Sequence, residues 1–550
     1  MAASQPFRSA VVHPQGRDAS GRPAYTFYTF RQLDQVSNRT ALGLQRFGLR
    51  AGDRVALMVP PSLDFFAITF ALFKLGAIPV LIDPGIGIKH LGIGLGEAQP
   101  SAFIGILKAQ TARAVLGWAR GLIRHSVTVG GPPVFGGKTL GQVQALAEGS
   151  TEFETIRPTP GQTAAILFTS GSTGPSKGVV YTHEFFGGQV DHIRQLYGIQ
   201  PGETDLPTFP LFALFGPALG MTAILPEMDP TRPAQVDPVK ILEAIENFGV
   251  TNMFGSPALI NRVGRYGAER GLRLPTLRRV ISAGAPVPAK VLERFASLLA
   301  PGVQVFTPYG ATECLPVSSI GSDEVLRETR RMTEQGRGVC VGKPVPGLDV
   351  RIVRITDDPV TSWSESLCLP PGEIGEITVR APHATREYFN RAEATRLAKI
   401  PVGNNPADAF YHRMGDVGYI DAEGRIWFCG RKSHRVSTPQ RTWFTIPVEG
   451  VFNTHAKVFR SALVGVTTRE GLIPALCVEL ESGAATTQAE KERIRIELLE
   501  IGQRFEHTRD VRDIFFHPAF PVDIRHNAKI FREKLAVWAT QERASRGGST

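Results

Sequence analysis

Hydrophobic and polar residues follow two different periods in the first third of this chain. Between residues 31 and 47 apolar side chains recur every three to four positions, the spacing of a helix with one buried face. Compact apolar runs then predict a strand at Arg54–Val59, a helix at Asp64–Leu75 and a strand at Pro79–Asp83. This alternation of helix and strand is typical of an α/β fold with parallel sheets.

The later pattern separates the chain into a large and a small part. Strand, helix and strand recur around residues 236–256 and 275–306, whereas from Asp349 onward short strands are separated by turns. Residues 434–550 have the pattern of a small α+β unit. We therefore predict an α/β protein with a large N-terminal domain of parallel and mixed sheets and a small α+β C-terminal domain.

Finer expectations concern individual segments. Short strands are predicted at Asp349–Ile355, Glu376–Arg380, Ser461–Val466 and Ala475–Leu480, and a helix at Gln488–Phe505. Two further segments stand out by composition. Ser322–Gly338 is dense in charge and is predicted to be an exposed, mobile insertion. The apolar run Phe65–Phe73 is too short to cross a bilayer and indicates a buried helix.

The charge balance narrows the classes of partner. The 550 residues carry a net charge of +10, which suits nucleic acid, an anionic membrane face or an anionic substrate. The sequence has no block of Lys and Arg interleaved with aromatic residues, so we expect no nucleic-acid partner. Peripheral contact with a membrane stays open.

Cysteine usage and the N-terminus bear on the compartment. The five cysteines show no short paired spacing, which disfavours a disulfide framework or a zinc site. The first residues lack a basic start followed by an apolar run, so no signal peptide is expected. We expect a reducing compartment, the cytoplasm.

A loop rich in glycine and hydroxyl residues is the strongest chemical signal. Thr169–Gly178 reads Thr-Ser-Gly-Ser-Thr-Gly-Pro-Ser-Lys-Gly and directly follows the apolar run Ala164–Phe168. Glycines let the backbone approach an anion, and N–H groups, hydroxyls and a lysine stabilise it. The spacing is not that of a Walker loop. The alternative is a flexible turn.

Four further segments follow in order: Ser282–Val287, Tyr309–Glu313, Met414–Asp421 with Cys429–Lys432, and Asn527–Ile530. Together with the loop they resemble the core motifs of the adenylate-forming superfamily, which includes acyl- and aryl-CoA ligases, peptide-synthetase adenylation domains and beetle luciferase. The resemblance covers about residues 20–540. It implies that a distorted β-barrel completes the N-terminal domain of residues 1–430, that residues 431–434 are a hinge, and that residues 435–550 are a mobile lid.

The resemblance also implies roles for individual residues. Thr312 would contact the α-phosphate of ATP, Glu313 would hold Mg²⁺, and Lys529 would bridge the substrate carboxylate and the α-phosphate. Asp416 would accept the ribose hydroxyls, and Arg431 would reach the ribose or phosphate. Such charges are needed because a carboxylate repels the triphosphate that it attacks. The alternatives are a surface acid for Glu313, a plain turn residue for Asp416, a linker charge for Arg431 and a solvated lysine at a helix end for Lys529.

Two larger groups of residues complete the implied ATP site. The phosphates would be bound by Thr169, Ser170, Gly171, Ser172, Thr173, Gly174 and Lys177. The adenine would lie between Gly284, Ala285, Pro286 and Tyr309.

Several positions depart from the family pattern. Ser433 stands where the family has a charged hinge residue. Thr438 stands where the thiolation loop has a flexible glycine, and the following residue, Pro439, stiffens the chain. Ala213 stands where a histidine is common, and Met414 where a threonine is usual. The residues for adenylation are kept and those for thiolation are changed, which indicates a second half-reaction without CoA.

The whole chain resembles the branch of this family that forms β-lactones in bacterial long-chain olefin biosynthesis. That resemblance implies ATP and Mg²⁺ as cofactors, a long-chain 2-alkyl-3-hydroxy acid as substrate, and association with other olefin-pathway enzymes. The substrate's own hydroxyl would attack the acyl-adenylate. An alkyl pocket is expected from Phe185, Phe186, Phe209, Phe212, Leu214 and Phe215, unless these residues are ordinary core.

Other functions remain open from the sequence. The main alternative is a long-chain acyl-CoA ligase. An enzyme that activates an aryl or amino acid and an inactive nucleotide-binding or scaffolding protein are further alternatives. The group that takes the hydroxyl proton is not identified among the twelve histidines.

Overall fold

The computed structural model describes residues 1–82, 86–150, 152–168, 176–403, 409–485, 487–523 and 529–547. Within them, two large sheets and their helices form the N-terminal domain, and a smaller α+β domain follows. The predicted α/β class and the division into a large and a small domain are confirmed.

The first sheet has seven strands and is parallel except at one edge. Gly178–Thr182 pairs antiparallel with Thr163–Phe168, so the predicted phosphate loop joins two adjacent strands at this edge. In spatial order the strands are Lys138–Thr139, His125–Val129, Ala102–Ile106, Arg54–Met58, Ile78–Ile82, Thr163–Phe168 and Gly178–Thr182.

The second sheet has fourteen strands and changes character along its width. One half is mainly parallel, and the half built from residues 305–431 is antiparallel, as expected for the short-strand region. The strands are Ser9–Arg17, Pro23–Thr29, Thr204–Pro207, Thr222–Ile224, Asn252–Phe254, Arg279–Ile281, Val305–Ala311, Cys314–Gly321, Val339–Pro344, Asp349–Val353, Gly375–Arg380, Lys399–Pro401, Phe410–Ile420 and Ile426–Arg431.

Helices cover the sheets, and two of them fill the space between the sheets. Helix Phe30–Phe47 begins at a reciprocal cap between Thr29 and Gln32, which satisfies backbone donors that a helix start leaves free. Helix Leu63–Leu75 is buried nearly all round, with Phe66 and Leu72 fully inaccessible. Its side chains join residues from both sheets in one core.

The remaining helices of the N-terminal domain are Ile88–Ala98, Leu107–Leu116, Leu140–Ala145, His183–Tyr197, Pro210–Ala213, Phe215–Leu219, Pro238–Phe248, Pro257–Glu269, Ala289–Ala296, Ser322–Glu324, Arg330–Glu334 and Ala392–Ala398. No helix in the described part of the chain is long and apolar enough to cross a membrane.

The C-terminal domain has its own small sheet and core. Strands Val458–Thr468, Gly471–Leu480 and Asp513–Phe516 form the sheet, and Val436–Ser437 pairs with Thr442–Trp443 in a short hairpin. The helices are Thr445–Phe452, Gln488–Gln503 and Arg532–Gly547.

One prediction from charge was wrong. The segment Ser322–Gly338 is helical over most of its length and packs between the two domains rather than forming a loose insertion. Thr329 is buried, and Arg330 pairs with Glu293 and Glu334. The charges lie on the outer face of a packed helix, so charge density alone was a poor guide to mobility.

Candidate active site

A cavity of about 1480 Å³ lies at the junction of the two large sheets and the C-terminal domain. All three parts contribute to its lining, for example through Leu81, Tyr309 and Lys529. Ten predicted site residues line this cavity: Lys177, Gly284, Ala285, Pro286, Tyr309, Thr312, Glu313, Asp416, Arg431 and Lys529. The other six, Thr169, Ser170, Gly171, Ser172, Thr173 and Gly174, lie outside the described residues.

Thr312 and Glu313 form the tip of a hairpin, because Ala311 pairs with Cys314. The Tyr181 hydroxyl donates to the Thr312 carbonyl oxygen at 2.6 Å, and the Thr385 N–H donates to the Glu313 carbonyl oxygen at 2.8 Å. These bonds fix the backbone of the tip from both sides. The two side chains are therefore presented to the cavity from a rigid turn.

The Glu313 carboxylate is placed so that it can serve as one ligand of a metal ion. The Tyr388 hydroxyl donates to Oε1 at 2.6 Å, and the Lys177 ammonium lies 4.9 Å from the Tyr388 ring centre. Among the described residues, no group of three His, Cys, Asp or Glu side chains is arranged to hold a metal ion alone. Mg²⁺ commonly takes one or two carboxylates and completes its shell with phosphate oxygens and water, so the residues fit that ion.

Asp416 lies beside Tyr309 and Arg431 in a buried polar group. The Tyr309 hydroxyl donates to Oδ2 at 2.9 Å, and Arg431 Nη1 lies 3.0 Å from Oδ1. Burial raises the pKa of the Asp416 carboxyl, and Arg431 opposes that shift. Despite the ion pair, Oδ1 has no partner with hydrogen-bond geometry among the described residues. A buried acceptor without such a bond is suited to a ligand hydroxyl.

Gly284, Ala285 and Pro286 follow the end of strand Arg279–Ile281 and line the same cavity as Tyr309. Gly284 has φ of +100°, a conformation that side chains rarely adopt. The chain therefore turns sharply at the strand end and leaves its backbone open to a ligand, the usual place for ligands in α/β sheets.

Lys529 reaches the same cavity from the C-terminal domain. Its charge acts on the carboxyl of Asp416, which belongs to the N-terminal domain. The next residues anchor it: Ile530 bridges to Val522, and Arg532 forms a bidentate ion pair with the buried Glu449 at 2.7 and 2.8 Å. The structure thus brings together the two domains' predicted site residues.

Ion pairs and close backbone contacts hold the two domains together at this junction. Arg435 Nη2 lies 2.6 Å from Asp357 Oδ2, and Lys432 Nζ lies 3.2 Å from the buried Glu376 carboxylate. A Cβ added to Gly450 would lie 2.6 Å from the Thr333 carbonyl oxygen. Such close approach leaves no space for water between these two segments.

The segment predicted to have lost thiolation features is a tight hairpin. Ser433 is exposed within the turn Lys432–His434. The Thr438 N–H donates to the Arg441 carbonyl oxygen at 2.8 Å, and the Thr438 hydroxyl accepts from the Arg441 N–H at 3.2 Å. Thr438 therefore closes a turn in which both its backbone and its side chain are used.

The apolar part of the cavity contains five of the six predicted pocket residues, Phe186, Phe209, Phe212, Leu214 and Phe215. Phe212 stacks on Phe254 with ring centres 4.3 Å apart. The prediction for Phe185 was wrong, since this side chain is 2% exposed in the core and is not part of the lining. On a helix, Phe185 and Phe186 point about 100° apart, so only one of them faces the cavity.

Residues that the sequence did not reveal also lie at the site. Besides Tyr388, His434 lines the cavity, and its Nε2 is buried without a hydrogen-bond partner among the described residues. Burial, then Arg532 and Arg431, lower the pKa of His434 to about 4, so the ring is neutral at pH 7. Lys399 is buried and interacts electrostatically with Glu313, and burial lowers its pKa to about 8. Tyr388 and Lys399 stand in no recognisable motif.

Comparison with known proteins adds independent evidence. The family model described as AMP-binding enzyme matches residues 2–389. The chain is 49% identical to the olefin beta-lactone synthetase of Xanthomonas campestris pv. campestris, over 99% of this chain and 96% of that protein. It is 50% identical to the enzyme of the same name from Stenotrophomonas maltophilia, over 98% of this chain and 97% of that protein.

A solved structure shows the same fold at much lower identity. An anthranilate CoA ligase in complex with anthranoyl-AMP superposes with a TM-score of 0.76 at 19% identity, covering 98% of this chain and 96% of that one. At this identity the likeness concerns the fold alone.

Proposed function

The chain belongs to the family of AMP-binding enzymes and is an adenylate-forming ligase that uses ATP; we propose that it converts a long-chain 2-alkyl-3-hydroxy acid into a β-lactone. The near full-length similarity to two olefin beta-lactone synthetases is the observation that carries this function. The cavity supports it, because one space combines a polar group around Asp416 with an apolar lining.

The first half-reaction joins the acid to AMP. A carboxylate oxygen attacks the α-phosphorus of ATP, and pyrophosphate leaves. We assign Lys529 to the attacking carboxylate and the α-phosphate, Thr312 to the α-phosphate, and Lys177 with the loop Thr169–Gly174 to the other phosphates. Asp416 and Arg431 bind the ribose, and Gly284–Pro286 with Tyr309 hold the adenine. Glu313 would hold Mg²⁺, which neutralises phosphate charge when bound.

The second half-reaction closes the ring. The oxygen of the substrate's 3-hydroxyl attacks the acyl carbon, the carbon–oxygen bond to AMP breaks, and the hydroxyl proton is released. Because the nucleophile is tethered to the electrophile, it needs no binding site for a second substrate. The hairpin closed by Thr438 supports a reaction without CoA, since it is pinned by its own hydrogen bonds.

We further propose the domain boundaries and the surroundings of the enzyme. The N-terminal domain ends at residue 430, residues 431–434 are the hinge, and residues 435–550 are the lid. The enzyme works in the cytoplasm, where ATP is available and its cysteines, four of them buried, stay reduced. It associates with other olefin-pathway enzymes, because a β-lactone is reactive and its precursor is poorly soluble, and it contacts the membrane peripherally.

Product analysis tests the proposed function. With a 2-alkyl-3-hydroxy acid, ATP and Mg²⁺, we expect AMP, pyrophosphate and a four-membered lactone in equal amounts, with no change of rate when CoA is added. Mass spectrometry separates the lactone from an acyl-CoA. An acyl-CoA as the main product, with turnover that depends on CoA, would establish the long-chain acyl-CoA ligase instead.

The assignment of Asp416 predicts a specific loss of nucleotide affinity. Replacing Asp416 by alanine removes the carboxyl acceptor for two ribose hydroxyls, and we expect AMP to bind about 10²-fold more weakly. Isothermal titration calorimetry measures the change. The matched control is 2′,3′-dideoxy-AMP: the native enzyme should lose affinity for it, whereas Asp416→Ala should bind it and AMP almost equally. If the native enzyme and Asp416→Ala both preferred AMP over 2′,3′-dideoxy-AMP by the same factor, the ribose would not bind at Asp416.

A further inference from the structure

The surface around helices Ile88–Ala98 and Leu107–Leu116 is unusually apolar. Seven of the seventeen large hydrophobic side chains exposed in the described residues fall between residues 86 and 138. They include Ile88 at 65% exposure, Val115 at 78% and Leu116 at 47%. Single exposed apolar residues are ordinary, but a concentration of them marks an interaction surface.

The same segment carries a concentrated positive charge. Residues 86–138 contain six basic residues and one acidic residue, a net +5, whereas the other 497 residues together supply the remaining +5. The single acid, Glu97, is neutralised by Arg391 from outside the segment at 2.8 Å. Lys89, Lys108 and Arg120 are exposed. The surface therefore combines apolar side chains with basic ones, of which only Arg124 forms an ion pair within the described part of the chain, with Asp53 at 3.9 Å.

A groove on this surface adjoins the active-site cavity. The groove runs between helix Ile88–Ala98 and the turn at residues 117–122, where Ile93, Leu122, Lys89 and Arg120 line it. Ile88, Leu116 and Trp118 line both the groove and the active-site cavity. These three apolar side chains form a wall that the groove and the cavity share.

We propose that this surface, formed by residues 86–138, docks on an anionic lipid bilayer and receives the long-chain substrate from it. This inference rests on the proposed function for the nature of the substrate. An anionic bilayer matches both observations, since apolar side chains enter the headgroup boundary while Lys and Arg meet anionic headgroups. A purely apolar protein partner would not use the local charge, and a nucleic acid would not use the exposed isoleucines.

Vesicle co-sedimentation tests the surface without turnover. The native enzyme should bind vesicles of phosphatidylcholine with phosphatidylglycerol and should bind pure phosphatidylcholine at least tenfold more weakly. The double variants Lys89→Glu/Arg120→Glu and Ile93→Ser/Leu122→Ser should each reduce binding to the anionic vesicles by at least tenfold. Arg327→Glu and Phe7→Ser, which change exposed residues elsewhere, serve as matched controls and should bind as the native enzyme does.

Activity assays separate this inference from the proposed function. None of the four changed groove residues lines the active-site cavity, so both double variants should keep the native rate on a short, water-soluble 3-hydroxy acid. Their rate on a long-chain substrate presented in anionic vesicles should fall with their binding. That short-acid rate also shows that the variants are folded.

Three results would overturn the proposal. First, the native enzyme could fail to bind anionic vesicles at all. Second, the groove variants and the control variants could bind vesicles equally well. Third, the groove variants could lose a complex with a pathway enzyme and still bind vesicles. The last result would identify the surface as a protein interface. Failure of the native enzyme to form a lactone from the soluble acid would contradict the proposed function and leave the vesicle result intact.

Discussion

Replacing Lys529 by alanine is expected to slow formation of the acyl-adenylate by about 10²–10³-fold, the scale of losing one preorganised charge contact in a transition state. The ammonium neutralises the charge that two anions accumulate as the carboxylate approaches the α-phosphate. ATP should bind almost as before, because the other described residues assigned to the nucleotide belong to the N-terminal domain, except Arg431 in the proposed hinge. Pyrophosphate exchange measures the first half-reaction, and calorimetry measures ATP binding.

The control for this variant lies five residues away. Lys534 is exposed and packs on the Phe531 ring with its ammonium 4.7 Å from the ring centre. Lys534→Ala removes the same charge from the same segment outside the cavity and should exchange pyrophosphate at the native rate. If Lys529→Ala also exchanged at the native rate, Lys529 would not be the residue that aligns the two anions.

The parts of this molecule that the sequence predicts are those that depend on local spacing. The helix predicted at Asp64–Leu75 is observed at Leu63–Leu75, and the strand predicted at Glu376–Arg380 is observed at Gly375–Arg380. Apolar periodicity suffices because each element buries one recurring set of side chains. The motif residues were also predictable, since short segments such as Tyr309–Glu313 keep their own order and spacing.

Contacts between distant residues could not be predicted in this way. Tyr388 bonds to Glu313 over a separation of 75 residues, and Arg435 pairs with Asp357 over 78. Neither Tyr388 nor Asp357 differs locally from an ordinary surface residue. The prediction for the charged segment at residues 322–338 failed for a related reason. The Thr333 carbonyl packs against Gly450, which lies more than a hundred residues later in the chain.

The junction between the domains bears on how the second half-reaction proceeds. We expect that an external thiol could reach the acyl carbon only if the C-terminal domain with Lys529 left its observed position. That movement breaks the Arg435–Asp357 ion pair and separates Gly450 from the Thr333 carbonyl. An attack from within the substrate requires no such movement. We therefore propose that the observed arrangement serves both steps of lactone formation.

Removing the 3-hydroxyl from the substrate is expected to stop turnover after the first half-reaction. A 2-alkyl acid of the same length keeps the carboxylate and both alkyl chains, so it should be adenylated and release a single burst of pyrophosphate stoichiometric with the enzyme. Water then becomes the only nucleophile. Well-oriented intramolecular groups act at effective molarities of about 10⁵ M or more, so steady turnover should fall by at least about 10³-fold.

Both the burst of pyrophosphate and the acyl-adenylate that remains after it can be measured. Rapid quench with radiolabelled ATP should show acyl-adenylate that remains bound to the enzyme, and the hydroxy acid run in parallel should show continuous release of AMP. Added CoA should not restore turnover with the deoxy acid, because the thiol finds neither the flexible glycine of a thiolation loop nor a domain that has moved away. Multiple turnovers to an acyl-CoA under these conditions would show that the C-terminal domain does rotate, and that ring closure competes with thiol transfer instead of replacing it.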